Sequence, residues 1–115
     1  MAVTIYHNPH CSKSRETLKL LEERGVEPEV VEYLQMPPDA ATLKALLKKL
    51  GIGAKDLLRR KEEAYAQLGL AGQLDDEAAL VRAMVEHPIL IERPIVVHGA
   101  KARLGRPPER VLEIL

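Results

Sequence analysis

Cys11 is the one cysteine of the chain, and it stands in the segment Ile5-Tyr6-His7-Asn8-Pro9-His10-Cys11-Ser12-Lys13-Ser14-Arg15, a setting in which a thiol can become a nucleophile. The thiolate is the attacking species, so the environment must lower the thiol pKa. Taking it from about 8.5 to about 6.5 requires roughly 2.7 kcal/mol of preference for the anion, at about 1.36 kcal/mol per unit. A helix dipole supplies about 0.3 to 1 kcal/mol and at most about 2. Further donors or positive charge are needed nearby, and His7, the Ser12 and Ser14 hydroxyls, Lys13 and Arg15 are the local candidates. With a single cysteine, any redox cycle must use an external thiol to resolve its intermediate. A second set of residues suits anions: Arg59, Arg93 and Arg106 each fall where the direction of the chain should change. Planar guanidinium groups bind a tetrahedral oxyanion bidentately, and three together could hold its charge.

The elements that must position these residues follow from periodicity and punctuation. Val3, Ile5 and Tyr6 read as a strand over 3–6, Asn8-Pro9 forces a turn, and Leu18, Leu20 and Leu21 mark a helix from about 11 to 24 that stops at Gly25. Cys11 thus falls at the N-cap or in the first turn, where unpaired backbone N–H groups favour an anion. Val30, Val31 and Tyr33 give a second strand, and two strands joined by one helix should be parallel. Residues 37–87 read as a helical insert. Pro37-Pro38-Asp39 opens a helix with Leu43, Leu46, Leu47 and Leu50 on one face and Gly51 at its end. A short turn through Lys55 to Arg60 and a weaker segment through Tyr65 precede a helix from Asp75 or Asp76 to His87, which stops before Pro88.

The sheet resumes with Ile95-Val96-Val97. His98-Gly99-Ala100-Lys101 reads as a hairpin turn, Ala102–Leu104 as the partner strand, and a last helix after Gly105-Arg106-Pro107-Pro108 should turn Val111, Leu112 and Leu115 inward. The result is an α/β domain, β-α-β then β-β-α, with a mixed four-stranded sheet and a helical insertion. This is the order of a thioredoxin-like fold, here a single domain over 1–115.

Composition narrows the classes of function. With 17 Lys+Arg against 17 Asp+Glu, the chain has no bulk charge for holding nucleic acid or a membrane surface. A single cysteine suits a reducing cytoplasm, and no apolar run approaches membrane-spanning length. His10, His87 and His98 lack ligand spacing, so no metal is expected, and no Gly-rich phosphate loop is present.

The chain resembles the ArsC family, the glutaredoxin-linked arsenate reductases of thioredoxin-like fold. The matching stretches are the thiol segment from Ile5 to Arg15, Leu57-Leu58-Arg59, Tyr65-Ala66-Gln67-Leu68-Gly69-Leu70, the run His87-Pro88-Ile89-Leu90-Ile91-Glu92-Arg93-Pro94-Ile95-Val96-Val97, and Arg103-Leu104-Gly105-Arg106-Pro107. Ser12-Lys13 after the cysteine places it with a Cys-x-x-Ser branch. The resemblance implies Cys11 as nucleophile, His7 and Ser14 as residues that assist the thiolate, Arg59, Arg93 and Arg106 as oxyanion ligands, and a cis Pro94 facing the thiol. It also implies arsenate as leading substrate, a Cys11–arsenate adduct, glutathione as external reductant, glutaredoxin to complete the reduction to arsenite, and no tightly bound cofactor. Two other functions share the fold: a glutathione-dependent thiol-disulfide oxidoreductase with another substrate, and an Spx-like transcription regulator, whose usual Cys-x-x-Cys is replaced here at Ser14.

Overall fold

A computed structural model describes residues 2–115. Nine regular elements follow in order: β1 (Val3–His7), α1 (Ser12–Glu23), β2 (Glu29–Glu32), α2 (Ala40–Leu50), α3 (Ala54–Leu57), α4 (Glu63–Gln67), α5 (Glu77–Glu86), β3 (Ile95–His98) and β4 (Lys101–Leu104). Short 3₁₀ helices lie at Leu70–Gln73, Pro88–Leu90 and Pro108–Ile114. The chain divides into two compact units, one formed by residues 1–36 with 93–115 and the other by residues 37–92.

The first unit carries the sheet, in the order β2-β1-β3-β4. β1 pairs in parallel with β2 and antiparallel with β3, and β3 pairs antiparallel with β4, which is the mixed sheet expected. Alternation along β1 turns Val3, Ile5 and His7 to one buried face and leaves Thr4 and Tyr6 on the other. On that buried face Val3, Ile5 and Val96 pack with Leu21 of α1 and with Val111 and Ile114 of the C-terminal helix; Leu18, Leu20 and Val26 flank them. Each such side chain contributes about 1.5–3 kcal/mol when fully buried. This layer fixes α1 against the sheet and so fixes where α1 begins.

α1 ends as its sequence signals. Gly25 takes φ +76°, a left-handed conformation that an L side chain resists, and the Val26 N–H then bonds the Leu21 carbonyl at 3.0 Å. The turn sends the chain back into β2. Tyr33, read as part of that strand, lies one residue beyond it and is buried. The hairpin between β3 and β4 is tighter than expected: His98 and Lys101 pair with each other, which leaves Gly99-Ala100 as a two-residue turn with Gly99 at φ +64°.

The C-terminal element departs from its expected pattern. It is a 3₁₀ helix, whose period of three brings Pro108, Val111 and Ile114 onto one buried line. Leu112 is only half-buried and Leu115 is 43% exposed, so the inward positions expected from α-helical spacing are corrected to a spacing of three. Both Arg93–Pro94, as the resemblance implies, and Arg106–Pro107 are cis.

The second unit is helical. Asp39 Oδ1 accepts the Thr42 N–H at 2.8 Å and caps α2, which buries Leu43, Leu46 and Leu47 and closes at Gly51. Asp76 caps α5 in the same way, and α5 buries Leu80, Val81, Ala83 and Met84 before Pro88 ends it. Leu58 and Ile91 form an isolated antiparallel bridge, extended by Arg59 N–H to Leu90 O at 2.8 Å and Glu92 N–H to Leu57 O at 2.9 Å. Arg59 therefore lies two residues beyond α3 in extended chain rather than at the end of a helical turn. Among the described residues no helix is long and apolar enough to cross a membrane.

Candidate active site

The site is built at one end of the sheet. β1 runs out at His7, and the register that sets Tyr6 against Ile95 brings His7 level with the residue before β3, Pro94. Ile95 pairs with Leu104, and the Gly105 N–H bonds the Pro94 carbonyl at 3.0 Å, carrying that ladder one step further. His7, Arg93 and Arg106 thus share the end of the sheet from which α1 sets out.

The link between β1 and α1 is a closed turn. The Cys11 N–H bonds the Asn8 carbonyl at 3.0 Å, the His10 N–H bonds Asn8 Oδ1 at 3.0 Å, and Arg15 Nη1 reaches the Pro9 carbonyl at 2.9 Å. Asn8 is itself buried, and its N–H goes to Ser14 Oγ at 3.0 Å. These bonds hold Cys11 as the N-cap of α1, with extended φ −101° and ψ 123° and its carbonyl accepting the Arg15 N–H. Its side chain makes no capping hydrogen bond, so the helix start bears on the sulfur electrostatically.

Three groups favour the anion at that sulfur. Burial pushes the Cys11 thiol pKa up, but the Ser14 N–H, the hydrogen bond and charge of the Arg93 guanidinium, and the Lys13 N–H outweigh it and bring the pKa below the ordinary thiol value. Of the local helpers considered from the sequence, Lys13 and Ser14 act through their backbone N–H groups. The cationic side chain is Arg93, some eighty residues along the chain, rather than Lys13 or Arg15. Lys13 instead lies 3.7 Å from Glu16 at the surface.

His7 and Ser14 act beside the thiol. Ser14 is fully buried, and its Oγ lies 2.7 Å from His7 Nδ1. Burial lowers the His7 pKa, Glu32 pulls it back up, Arg15 lowers it again, and the net direction is down. Ser14 Oγ accepts the Asn8 N–H and shares a hydrogen bond with His7 Nδ1 whose donor is set by the imidazole tautomer. Ser14 is thereby tied to β1 and to the turn through its side chain, and to the thiol through its N–H.

Arg59 belongs to the helical unit. Its Nε lies 3.1 Å from Glu62 Oε1 and its Nη1 lies 2.5 Å from Glu92 Oε1. Burial lowers its pKa, the charge of Glu92 and the bonds to both carboxylates raise it, and the net direction is up. In the sequence only Glu62, at i+3 from Arg59, signals this pairing. The Asn-Pro pair marks Asn8 as a turn former, and its buried bonding role has no further sequence signature.

A thioredoxin-like sheet, a cysteine of lowered pKa at the N-cap of the first helix and an arginine-proline arm at the same end of the sheet define the class of fold and its candidate site. The model of the ArsC family matches residues 6–114, and the chain belongs to that family. It is 53% identical to an arsenate reductase of Haemophilus influenzae, covering 100% of both chains. It is 63% identical to the uncharacterized protein YfgD of Escherichia coli K12, over 98% of this chain and 96% of that one. Among solved structures, an arsenate reductase from Vibrio cholerae matches with a TM-score of 0.96 and 54% identity, over 100% of this chain and 98% of that one.

Proposed function

We propose that this protein is an arsenate reductase in which Cys11 is the nucleophile. The observation that carries the reading is the place of Cys11 at the N-cap of α1, at the end of the sheet where Arg93 precedes β3, with a thiol pKa lowered by the helix start and the Arg93 guanidinium. The same donors that stabilise a thiolate attract an oxyanion to it. The relatives named arsenate reductase at about half identity over the full chain supply the substrate.

Cys11 Sγ attacks arsenic(V), an S–As bond forms, and one arsenate oxygen leaves as water after protonation. The oxidation state does not change in this step. Arg93 and Arg106 balance the charge of the oxyanion as oxygen leaves, and Arg59 is the third oxyanion ligand that the family resemblance implies. His7 and Ser14 hold the helix start on which the sulfur depends. Glutathione then displaces a second oxygen, which also leaves as water. A glutaredoxin thiolate next attacks the glutathione sulfur, and the electron pair of the broken S–As bond takes arsenic from +5 to +3. Water frees arsenite and returns the Cys11 thiol. Two external thiols thus leave as a disulfide and one net water is formed. The protein needs no tightly bound cofactor for this sequence and would work in the cytoplasm, where these thiols are kept reduced.

The test is arsenate-dependent NADPH oxidation coupled through glutathione reductase, with glutathione and glutaredoxin present, for the wild type and Cys11→Ser. Turnover by the wild type alone supports the proposal. Disulfide turnover without arsenate turnover would replace it with a glutathione-dependent oxidoreductase of another substrate.

A further inference from the structure

We propose that Gly105 is a positioning residue for the Cys11 thiolate: its lack of a side chain lets Thr17 of α1 and Pro94 close on the same point, which sets how near the start of α1 lies to the arm that carries Arg93. Gly105 is buried, and its backbone is outside the left-handed region, so the demand on it is for space. A Cβ placed there would lie 2.7 Å from Pro94 Cγ and 3.1 Å from Thr17 Cγ2, and closer still to Thr17 Oγ1. Carbon atoms pack best at about 3.5–4.0 Å, so even alanine must push the two elements apart.

Each neighbour leads to the sulfur. Thr17 is fully buried, and its Oγ1 donates to the Lys13 carbonyl at 2.8 Å. Lys13 also presents an N–H to the Cys11 sulfur, so a displaced Thr17 moves the turn that solvates the thiolate. Pro94 follows Arg93 directly, and the Gly105 N–H holds the Pro94 carbonyl at 3.0 Å. The glycine therefore touches both halves of the cradle, the helix start on one side and the guanidinium arm on the other. The charged and titrating groups that bear on the sulfur are Arg93 directly and His7 through Ser14, with Glu32 and Arg15 acting on His7.

The inference rests on Cys11 as a thiolate nucleophile and is independent of the substrate. The test is the pH profile of Cys11 alkylation by iodoacetamide, with thiolate absorbance as a second readout, on the wild type, Gly105→Ala, Thr17→Ala and the double variant. In Gly105→Ala the Cys11 pKa should rise by about one pH unit, the amount that corresponds to weakening one charge-assisted hydrogen bond. In the double variant the two shifts should be less than additive, because the Thr17 atoms that crowd the new Cβ are already gone, a coupling that general loss of stability does not produce. A folded Gly105→Ala protein with the wild-type profile overturns the proposal. If Gly105→Ala does not fold, Thr17→Ala tests the same contact from the helix side: a raised pKa supports the proposal, and an unchanged one overturns it. A wild-type Cys11 with an ordinary thiol pKa would overturn it together with the reading of Cys11 as nucleophile.

Discussion

Replacing Arg93 with Met removes a charge and a hydrogen bond from the Cys11 sulfur while keeping most of the aliphatic stem in place, so it isolates the electrostatic contribution of the arm. A hydrogen bond to a charged group contributes about 1.5–3 kcal/mol. At about 1.36 kcal/mol per unit, its loss should raise the thiol pKa by about one to two units. Below both pKa values the thiolate fraction then falls about 10- to 100-fold. A more basic thiolate is also a better nucleophile, with a Brønsted slope of about 0.4–0.5, so the net slowing of alkylation is about 3- to 15-fold. Above both values the order reverses and the variant should react about 3- to 8-fold faster. The assay is the second-order rate of iodoacetamide alkylation from pH 4 to 10, and its signature is that the two curves cross. Curves that keep the same inflection, or differ by a constant factor at every pH, would falsify the assignment of Arg93 to the thiolate.

Other perturbations follow from the same contacts. Ser14→Ala strands the buried Asn8 N–H and His7 Nδ1, and urea denaturation should show a loss of about 2–4 kcal/mol. Because folding lowers the His7 pKa, the unfolded chain takes up a proton first as pH falls. Stability from this group is complete above about 6.5 and declines below it until the folded value is passed, and His7→Gln should flatten that limb of a stability–pH curve. Cys11 is depressed as an acid, so its contribution is complete above the unfolded thiol pKa of about 8.5 and is lost as pH falls through the folded value. The stability gap between the wild type and Cys11→Ser should therefore widen with rising pH across that window. Arg59→Ala should raise the KM for arsenate about 10-fold or more, the scale of one charge-assisted contact, and leave the Cys11 pKa in place, since the guanidinium acting on the sulfur is that of Arg93.

What could be read from the residues was local. The strand before Asn8-Pro9, the glycine stops at Gly25 and Gly51, the opening of α2 at Pro37-Pro38-Asp39, the aspartate cap of α5, and Cys11 at the start of α1 each depend on neighbours within a few positions. The resemblance to the family added the cis Pro94. The cation at the sulfur was harder to find. Lys13 and Arg15 are nearest in sequence, yet a first helical turn points its long side chains outward, and the antiparallel return of β3 brings Arg93 to the site instead. The C-terminal helix misled for a different reason. Val111, Leu112, Ile114 and Leu115 fit either helical period, and only packing against β4 and α1 selects the spacing of three that buries Pro108, Val111 and Ile114. Contacts such as Gly105 against Thr17 depend on a close approach of distant segments, which no local pattern records.

The central claim is that the thiolate stabilised by Arg93 is the group that attacks arsenate. The most direct measurement is kcat/KM for arsenate against pH, corrected for the ionisation of arsenate itself, beside the alkylation profile of Cys11 in the wild type and in Arg93→Met. The pH dependence of kcat/KM reports groups of the free enzyme. The expected result is one acidic limb common to both reactions, moving upward together in the variant. An arsenate profile that ignores the shift seen in alkylation would contradict the claim and separate the chemistry of Cys11 from the reduction of arsenate.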